Sequence, residues 1–475
     1  MHKFYLFNSL TSKKEEFIPF NSPNVGMYTC GFTVYDHTHI GHVKKYVGDD
    51  ILRRTLEFLG YKVKHVQNVT DVGHIVDDAD QGEDKLEKGA KKHGLTVTQV
   101  ARTFEQEFYN AMDTVNNLRP TIVQRAADDK SIKQQIELIK TLIDKEFAYI
   151  TDSAVYFNVK KLPEYNPFSN QVLEDKIAGN REDLVIDEQK KSPADFTLWV
   201  FTKGIHANHV MKWESPWGTG FPGWHIECSA IGICNLGEHI DIHTGGIDHK
   251  EIHHPNEIAQ NFGVTGHEVV KYWVHNNFLT VDNKKMSKSK GTMYSLKDVT
   301  KKGFSPMALR YLVIQAHYRS QLNFTWEGLQ GAQNAYDKLV SSVKSLVISS
   351  SHSGASGRAA IESSYLKLFT KALSDDLNTS KALAVMWDLI GDSKVEDSIK
   401  LNLILKIDEV FGLELNQIES ANVKIPSEIL DLQKQYEGAR AAKNYVLSDK
   451  IRDQVKDLGF EFKTTATGTE ITSLN

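Results

Sequence analysis

The period of apolar and polar positions changes several times along the chain, and each change marks an element. Residues 25–30 form a short run with the pattern of a buried strand. Over 42–59, Ile51, Leu52, Thr55, Leu56 and Leu59 recur at helical spacing, and Gly60 follows where a helix commonly stops. Tyr61, Val63 and His65 then alternate with Lys62 and Lys64, which predicts a strand. Strand, helix and strand within about 45 residues make a βαβ unit and so imply a parallel sheet.

Residues 119–222 break this rhythm with charged helices, the run VYFNV (155–159) and irregular sequence rich in Pro and Trp. They read as an insertion. From Trp224 the alternation returns: a helix over 224–234, a strand over 239–243, and a helix over 257–262 stopped by Gly263. One sheet domain is thus split in two. Ser305-Pro306 supplies a cap and a first-turn proline for a further helix striped by Leu309, Leu312, Val313 and Ala316. The pattern stays helical to about 420, apart from SSSHSGASG (349–357), whose composition is that of a flexible loop. After Pro426 come two more helices, the second striped by Leu447, Ile451, Val455 and Leu458, and then a short strand over 460–462.

Composition narrows the class. With 475 residues, 40% hydrophobic and 25% charged, the chain is an ordinary globular protein of about three domains. No apolar run nears the ~18 residues of a membrane span. The net charge of −5 excludes a basic nucleic-acid coat, so any polyanion must meet a local patch. One exists: 271–302 holds eight lysines and two aspartates. The first residues carry Glu15 and Glu16 and lack the apolar core of a signal peptide and the acid-poor character of a transit peptide. Three cysteines build no disulfide framework, and a reducing, cytoplasmic compartment is expected.

Three features carry chemistry. His39-Ile40-Gly41-His42 falls at the turn between the first strand and its helix, where a helix N-terminus favours phosphate and Gly41 permits close approach. Lys285-Met286-Ser287-Lys288-Ser289-Lys290-Gly291 lies in the basic patch and has the make-up of a loop that closes on phosphates, though a solvated charge run has the same composition. Cys30, Cys228, His253 and Glu257 suit tetrahedral zinc by donor type. His253 and Glu257 are spaced for one helix face, which a plain ion pair would also satisfy. On the 224–234 helix Cys234 lies near the face of Ile226, Ala230 and Ile233 and is expected in the core, whereas Cys228 points away and is free to bind.

The pairing of HIGH with KMSKS on a split α/β domain resembles the class I aminoacyl-tRNA synthetases. CGFTVYDHTHIGH (30–42), NVTD (68–71), FPGWHIECSA (221–230), DIHTGG (241–246), HHPNEIAQ (253–260), DDLNTSKALAV (375–385) and RAAKNYVLSDKIRD (440–453) extend the likeness to the cysteinyl-tRNA synthetase family over nearly the whole chain. The resemblance implies a Rossmann-like catalytic domain (1–118 and 223–270) and a connective peptide insertion (119–222) without a separate editing domain. It further implies a stem-contact region with the KMSKS loop (271–318), a helical bundle (319–420) and a small anticodon-recognition module (421–475). It implies Cys30, Cys228, His253 and Glu257 as zinc ligands, one ion per chain, and His39, Gly41, His42 and Lys288 at ATP. Gly31, Thr70, Trp224, His243 and Asp248 would surround the cysteine. His39, His42, Lys285 and Lys288 would serve catalysis, with Mg²⁺ accompanying ATP. The partners implied are L-cysteine, ATP and tRNA(Cys), no membrane, and a monomer by default. HHPNE carries Pro255 where the family more often has glutamate, and DVGHIVDD (71–78) replaces a more acidic run.

Zinc answers a selection problem. Telling cysteine from serine at ~10⁴–10⁵ requires about 5–7 kcal/mol, while size alone gives roughly 10–200-fold. A thiolate is a far better zinc ligand than a hydroxyl. The rival expectations are a cysteine ligase acting on an amino sugar in mycothiol synthesis and a non-catalytic cysteine or tRNA sensor. The long C-terminal region opposes the first, and the intact motifs oppose the second. Residues 421–475 hold eight basic and eight acidic residues, so tRNA contact there rests on the resemblance rather than on charge.

Overall fold

The computed structural model describes residues 3–72, 85–162, 165, 167–168, 187–287, 290–350, 358–420, 426–465 and 468–473. The chain forms two compact units: Met1–Gln333 with Lys367–Val385 and Glu409–Phe411, and Asn334–Leu366 with Met386–Asp408 and Gly412–Asn475.

A five-stranded parallel sheet organises the larger unit. In spatial order its strands are Val270–Asn276, Ile240–Gly246, Asn24–Thr29, Lys62–Val69 and Ile122–Arg125. The strand that comes first in the chain is therefore central, and the order reverses on either side of it. Such a switch point is where open α/β sheets take ligands, beyond the strands' carboxyl ends. The sheet runs past two boundaries drawn from sequence. Ile122–Arg125 lies in the stretch read as insertion, and Val270–Asn276 crosses the limit set at 270. A four-residue edge strand has no periodicity of its own to read; its pairing with Val66 through Val69 makes it a strand.

Helix Ile40–Phe58 begins two residues before its predicted start, and Gly60 follows its end as expected. The elements predicted over 224–234, 239–243 and 257–262 are helix Ile226–Leu236, strand Ile240–Gly246 and helix His253–Thr265. The last helix starts earlier because its first turn tolerates Pro255. It passes Gly263 and ends at Gly266, whose φ of +82° is the left-handed conformation that terminates helices. Residues 226–232 are buried all round, with the sheet on one side and helix Asp129–Asp144 on the other. Cys228 is buried as part of that run, and Cys234, expected in the core, is exposed near the helix end.

The stretch read as an insertion holds a four-stranded antiparallel sheet in the order Ala148–Ile150, Ala154–Phe157, Phe196–Phe201, Gly220–Pro222. Its apolar face shares a core with Ile226 and Ala230. Helix Pro306–Ile314 starts as predicted, the Ser305 hydroxyl accepting from the Met307 N–H at 3.2 Å.

In the smaller unit, helices Ser427–Ala441 and Tyr445–Asp457 pack with a hairpin of Phe460–Thr465 and Gly468–Ser473. Ile429, Leu432, Tyr436, Ile451, Val455, Phe462 and Ile471 form this core. Of the predicted stripe, Ile451 and Val455 are buried, while Leu447 and Leu458 at the two ends are exposed. From 351 onward the predicted loop 349–357 lies outside the described residues. No helix among the described residues is long and apolar enough to cross a membrane.

Candidate active site and metal centre

At the switch point a cleft of about 390 Å³ opens beside the carboxyl ends of Asn24–Thr29 and Ile240–Gly246 and the start of helix Ile40–Phe58. Cys30 follows the central strand directly, and Gly31 can follow only as glycine: a Cβ there would lie 1.8 Å from the Asn68 carbonyl oxygen. The close approach lets Asn68 Oδ1 accept from the Gly31 N–H at 2.7 Å.

Cys30, Cys228, His253 and Glu257 come from a strand end and two helices, yet their ligating atoms all lie within 4.8 Å of one another. The four side chains are buried. Cys30 Sγ is 3.9 Å from Cys228 Sγ and 3.7 Å from Glu257 Oε1, and His253 Nε2 is 3.0 Å from Glu257 Oε1. Two sulfurs at about 2.3 Å from one tetrahedral zinc stand about 3.8 Å apart, so the donor set fits that ion in type and spacing. His253 Nδ1 lies 2.8 Å from His225 Nδ1, leaving Nε2 toward the cluster. An outer partner of this kind holds a metal-binding imidazole in orientation.

A second tetrad, Cys30, His243, His254 and Glu257, meets the same distance criterion. His243 Nε2 is 2.9 Å from Glu257 Oε2, and His254 Nδ1 is 2.8 Å from His275 Nε2. Cys30, Cys228 and His253 line the cleft; His243 and His254 do not. Cys30, Cys228 and His253 therefore face a ligand entering from solvent, while Glu257, His243 and His254 lie behind the wall. Burial raises the Cys30 thiol, but the hydrogen bond from Cys228 and the imidazoles of His243, His253 and His254 outweigh it and hold Cys30 well below the usual thiol range. Burial, then the hydrogen bond to Cys30 and its charge, push Cys228 well up.

Gly31, Thr70, Trp224 and Asp248 line the cleft around this centre. The Thr70 hydroxyl donates to Glu227 Oε1, which also accepts from Asn68 Nδ2 at 3.1 Å. The Trp224 ring centroid lies 4.6 Å from that of His253. His39, Gly41 and His42 line the same cleft farther along, the two imidazoles stacked with centroids 3.6 Å apart. The Ile40 N–H donates to the Tyr294 carbonyl at 2.9 Å, and a Cβ on Gly41 would lie 2.5 Å from Met286 Cε. The two signatures thus meet in space. Lys285 is exposed on the ribbon Leu279–Val281/Lys284–Lys285 and is not on the cleft wall. Lys288 lies outside the described residues.

Sequence reasoning passed over Asn68, His225, Glu227, His254, Lys45 and Tyr46. Lys45 and Tyr46 had a signal: they follow His42 by three and four residues, one turn along the same helix face. The others are legible only once the strand ends converge.

Residues 16–334 match the catalytic domain of the class I (C) tRNA synthetases, and residues 368–416 match the DALR domain. A cysteine–tRNA ligase of Treponema denticola is 43% identical over 96% of this chain and 96% of its own length. Cysteine–tRNA ligase 1 of Burkholderia lata is 39% identical over 98% and 95%. Among solved structures, the Agrobacterium radiobacter K84 LeuRS–tRNA–LeuAMS complex superposes with a TM-score of 0.61, at 10% identity over 85% of this chain and 86% of that one. Mycobacterium tuberculosis methionyl-tRNA synthetase with methionyl-adenylate gives 0.59, at 14% identity over 83% and 93%. These two likenesses show the fold. Together with the motif order and the near-complete match to both curated relatives, the catalytic-domain match shows that the chain belongs to the cysteinyl-tRNA synthetase family of class I tRNA synthetases.

Proposed function

We propose that this protein is a cysteine–tRNA ligase, which activates L-cysteine with ATP and transfers it to the 3′-terminal adenosine of tRNA(Cys). One observation carries the reading: two sulfurs, an imidazole and a carboxylate converge, and Cys30, Cys228 and His253 of this set line the cleft whose far end is the His39–His42 turn. A sulfur selector and a phosphate-binding helix start share one cavity.

In the first step a cysteine carboxylate oxygen attacks the α-phosphorus in line, and the bond to pyrophosphate breaks. No strong acid or base is needed; position and charge stabilisation carry the step. His39 and His42 stabilise the α-phosphoryl and leaving oxygens, and Gly41 gives the nucleotide room. Lys285 and Lys288 close over the β- and γ-phosphates with Mg²⁺, which requires the ribbon carrying Lys285 to move inward. Gly31, Thr70, Trp224 and Asp248 surround the amino acid, while His243 steadies Glu257. Cys30, Cys228, His253 and Glu257 would hold Zn²⁺, which when bound supplies a site that takes a thiolate far better than an alcohol. The 2′-OH of the terminal adenosine then attacks the adenylate carbonyl and releases AMP. The DALR region and the module after residue 426 would read the tRNA, with stacking on single-stranded bases as the expected mode. This reading places the enzyme in the cytoplasm with its tRNA.

Cysteine-dependent ATP–pyrophosphate exchange, followed by transfer to tRNA or to an amino sugar, tests the proposal. Exchange with transfer only to the sugar would favour the rival ligase, and no exchange would favour a sensor. Lys288→Ala should slow exchange by about 10²–10³-fold, the typical cost of removing one charge-stabilising donor, while zinc content stays unchanged. An unaltered exchange rate would remove Lys288 from the mechanism.

A further inference from the structure

Lys45 stands on the cleft wall and has no part in the scheme above. Its Nζ donates to the Cys30 carbonyl oxygen at 2.8 Å and lies 2.9 Å from Asp49 Oδ2. The Tyr46 hydroxyl donates to the same carbonyl at 3.1 Å. The Lys45 side chain is 13% exposed and that of Asp49 3%. The ammonium, which has three donors, thus gives one to the carbonyl, pairs its charge with Asp49 and lies 3.9 Å from the Tyr46 ring centroid.

Cys30 itself is the measure of what else this ammonium can reach. It turns its sulfur toward the tetrad and its carbonyl oxygen toward Lys45. Free cysteine has the same atoms, Cβ and Cα, between its sulfur and its carboxyl carbon. A substrate whose sulfur meets the tetrad from the cleft side has the same reach, and Lys45 lines that same cleft, so its ammonium is within range of the substrate carboxylate.

We propose that Lys45 binds the α-carboxylate of the incoming cysteine. This rests on the cysteine–tRNA ligase reading and adds a second recognition point to it: the tetrad reads the sulfur and Lys45 reads the acid. Holding one carboxylate oxygen leaves the other to attack the α-phosphorus. Asp49 fits this role, because the empty site then buries a paired charge instead of a lone ammonium. The signature helix thereby presents the nucleotide site at His39–His42 and the acid site one turn later, fixing their separation by helix geometry.

The test compares two thiols on the enzyme with its metal content measured. Cysteamine has the thiol and amine of cysteine without the carboxylate. In Lys45→Gln, which keeps a donor for the Cys30 carbonyl but loses the charge, the KM for cysteine should rise about 10–100-fold, the usual weight of a charged hydrogen bond. The inhibition constant of cysteamine should change by less than about twofold, with zinc content and ATP KM unchanged. Lys45→Arg, which restores the cation, should recover the preference for cysteine over cysteamine. If cysteine and cysteamine weaken together, Lys45 only braces Cys30 and the proposal fails. It fails equally if neither weakens. Wild-type enzyme without cysteine-dependent exchange would instead overturn the ligase reading.

Discussion

Cys228→Ser is expected to weaken zinc binding by roughly 10²–10³-fold and to raise the KM for cysteine at least as far. A structural zinc site is worth about 10–16 kcal/mol over four ligands, or roughly 2.5–4 kcal/mol for each, and 1.36 kcal/mol is tenfold. Serine keeps the shape of the side chain but replaces a soft sulfur donor by a hard oxygen that resists ionisation. The position has no slack: Cys228 is 2% exposed and its Sγ sits 3.9 Å from that of Cys30. Metal content after dialysis and the cysteine KM in pyrophosphate exchange check the expectation. If zinc and KM both stay at wild-type levels, the tetrad does not select the substrate. Metal-stripped enzyme should also lose its preference for cysteine over serine.

Arg310→Met should destabilise the larger unit by about 3–5 kcal/mol, the scale for breaking a buried ion pair. Arg310 is fully buried on helix Pro306–Ile314. Its guanidinium donates to Asp50 Oδ2 at 2.5 Å, the Phe411 carbonyl at 2.6 Å, Asn117 Oδ1 at 2.7 Å and the Val115 carbonyl at 2.8 Å. Burial raises the Asp50 carboxyl, but Arg310 and Arg54 outweigh it and hold the group below the usual carboxylate range. Methionine would leave Asp50 paired with Arg54 and the Leu118 N–H and strand three other acceptors. The first thermal transition should fall by roughly 4–7 °C. Adding Asp50→Asn should recover part of the loss, since the uncompensated charge is then gone. A transition within about one degree of wild type in the single variant would show that the network carries little stability.

The network also explains part of what sequence missed. Arg310 was passed over because a charged residue between Leu309 and Leu312 gives no sign that it is buried. Its partners at 50, 115, 117 and 411 are far away in the chain. The same holds at the site: Glu227 reads as an ordinary helix-surface carboxylate until Asn68 and Thr70 are placed against it.

What the sequence determined by itself is the local and the chemical. Helical spacing located Ile40–Phe58 to within two residues, because an amphipathic helix carries its own period. Donor types and the family resemblance together nominated Cys30, Cys228, His253 and Glu257, since the chain has only three cysteines but 19 histidines and 61 acidic residues. Tertiary structure alone decided the rest. It made 122–125 a strand by pairing, buried Cys228 while exposing Cys234, and put His243 behind the tetrad instead of on the cleft wall. It also brought Met286 onto Gly41 across some 245 residues of sequence. Each of these depends on which strand ends lie side by side, and a parallel sheet sets that through long crossovers that leave no local trace.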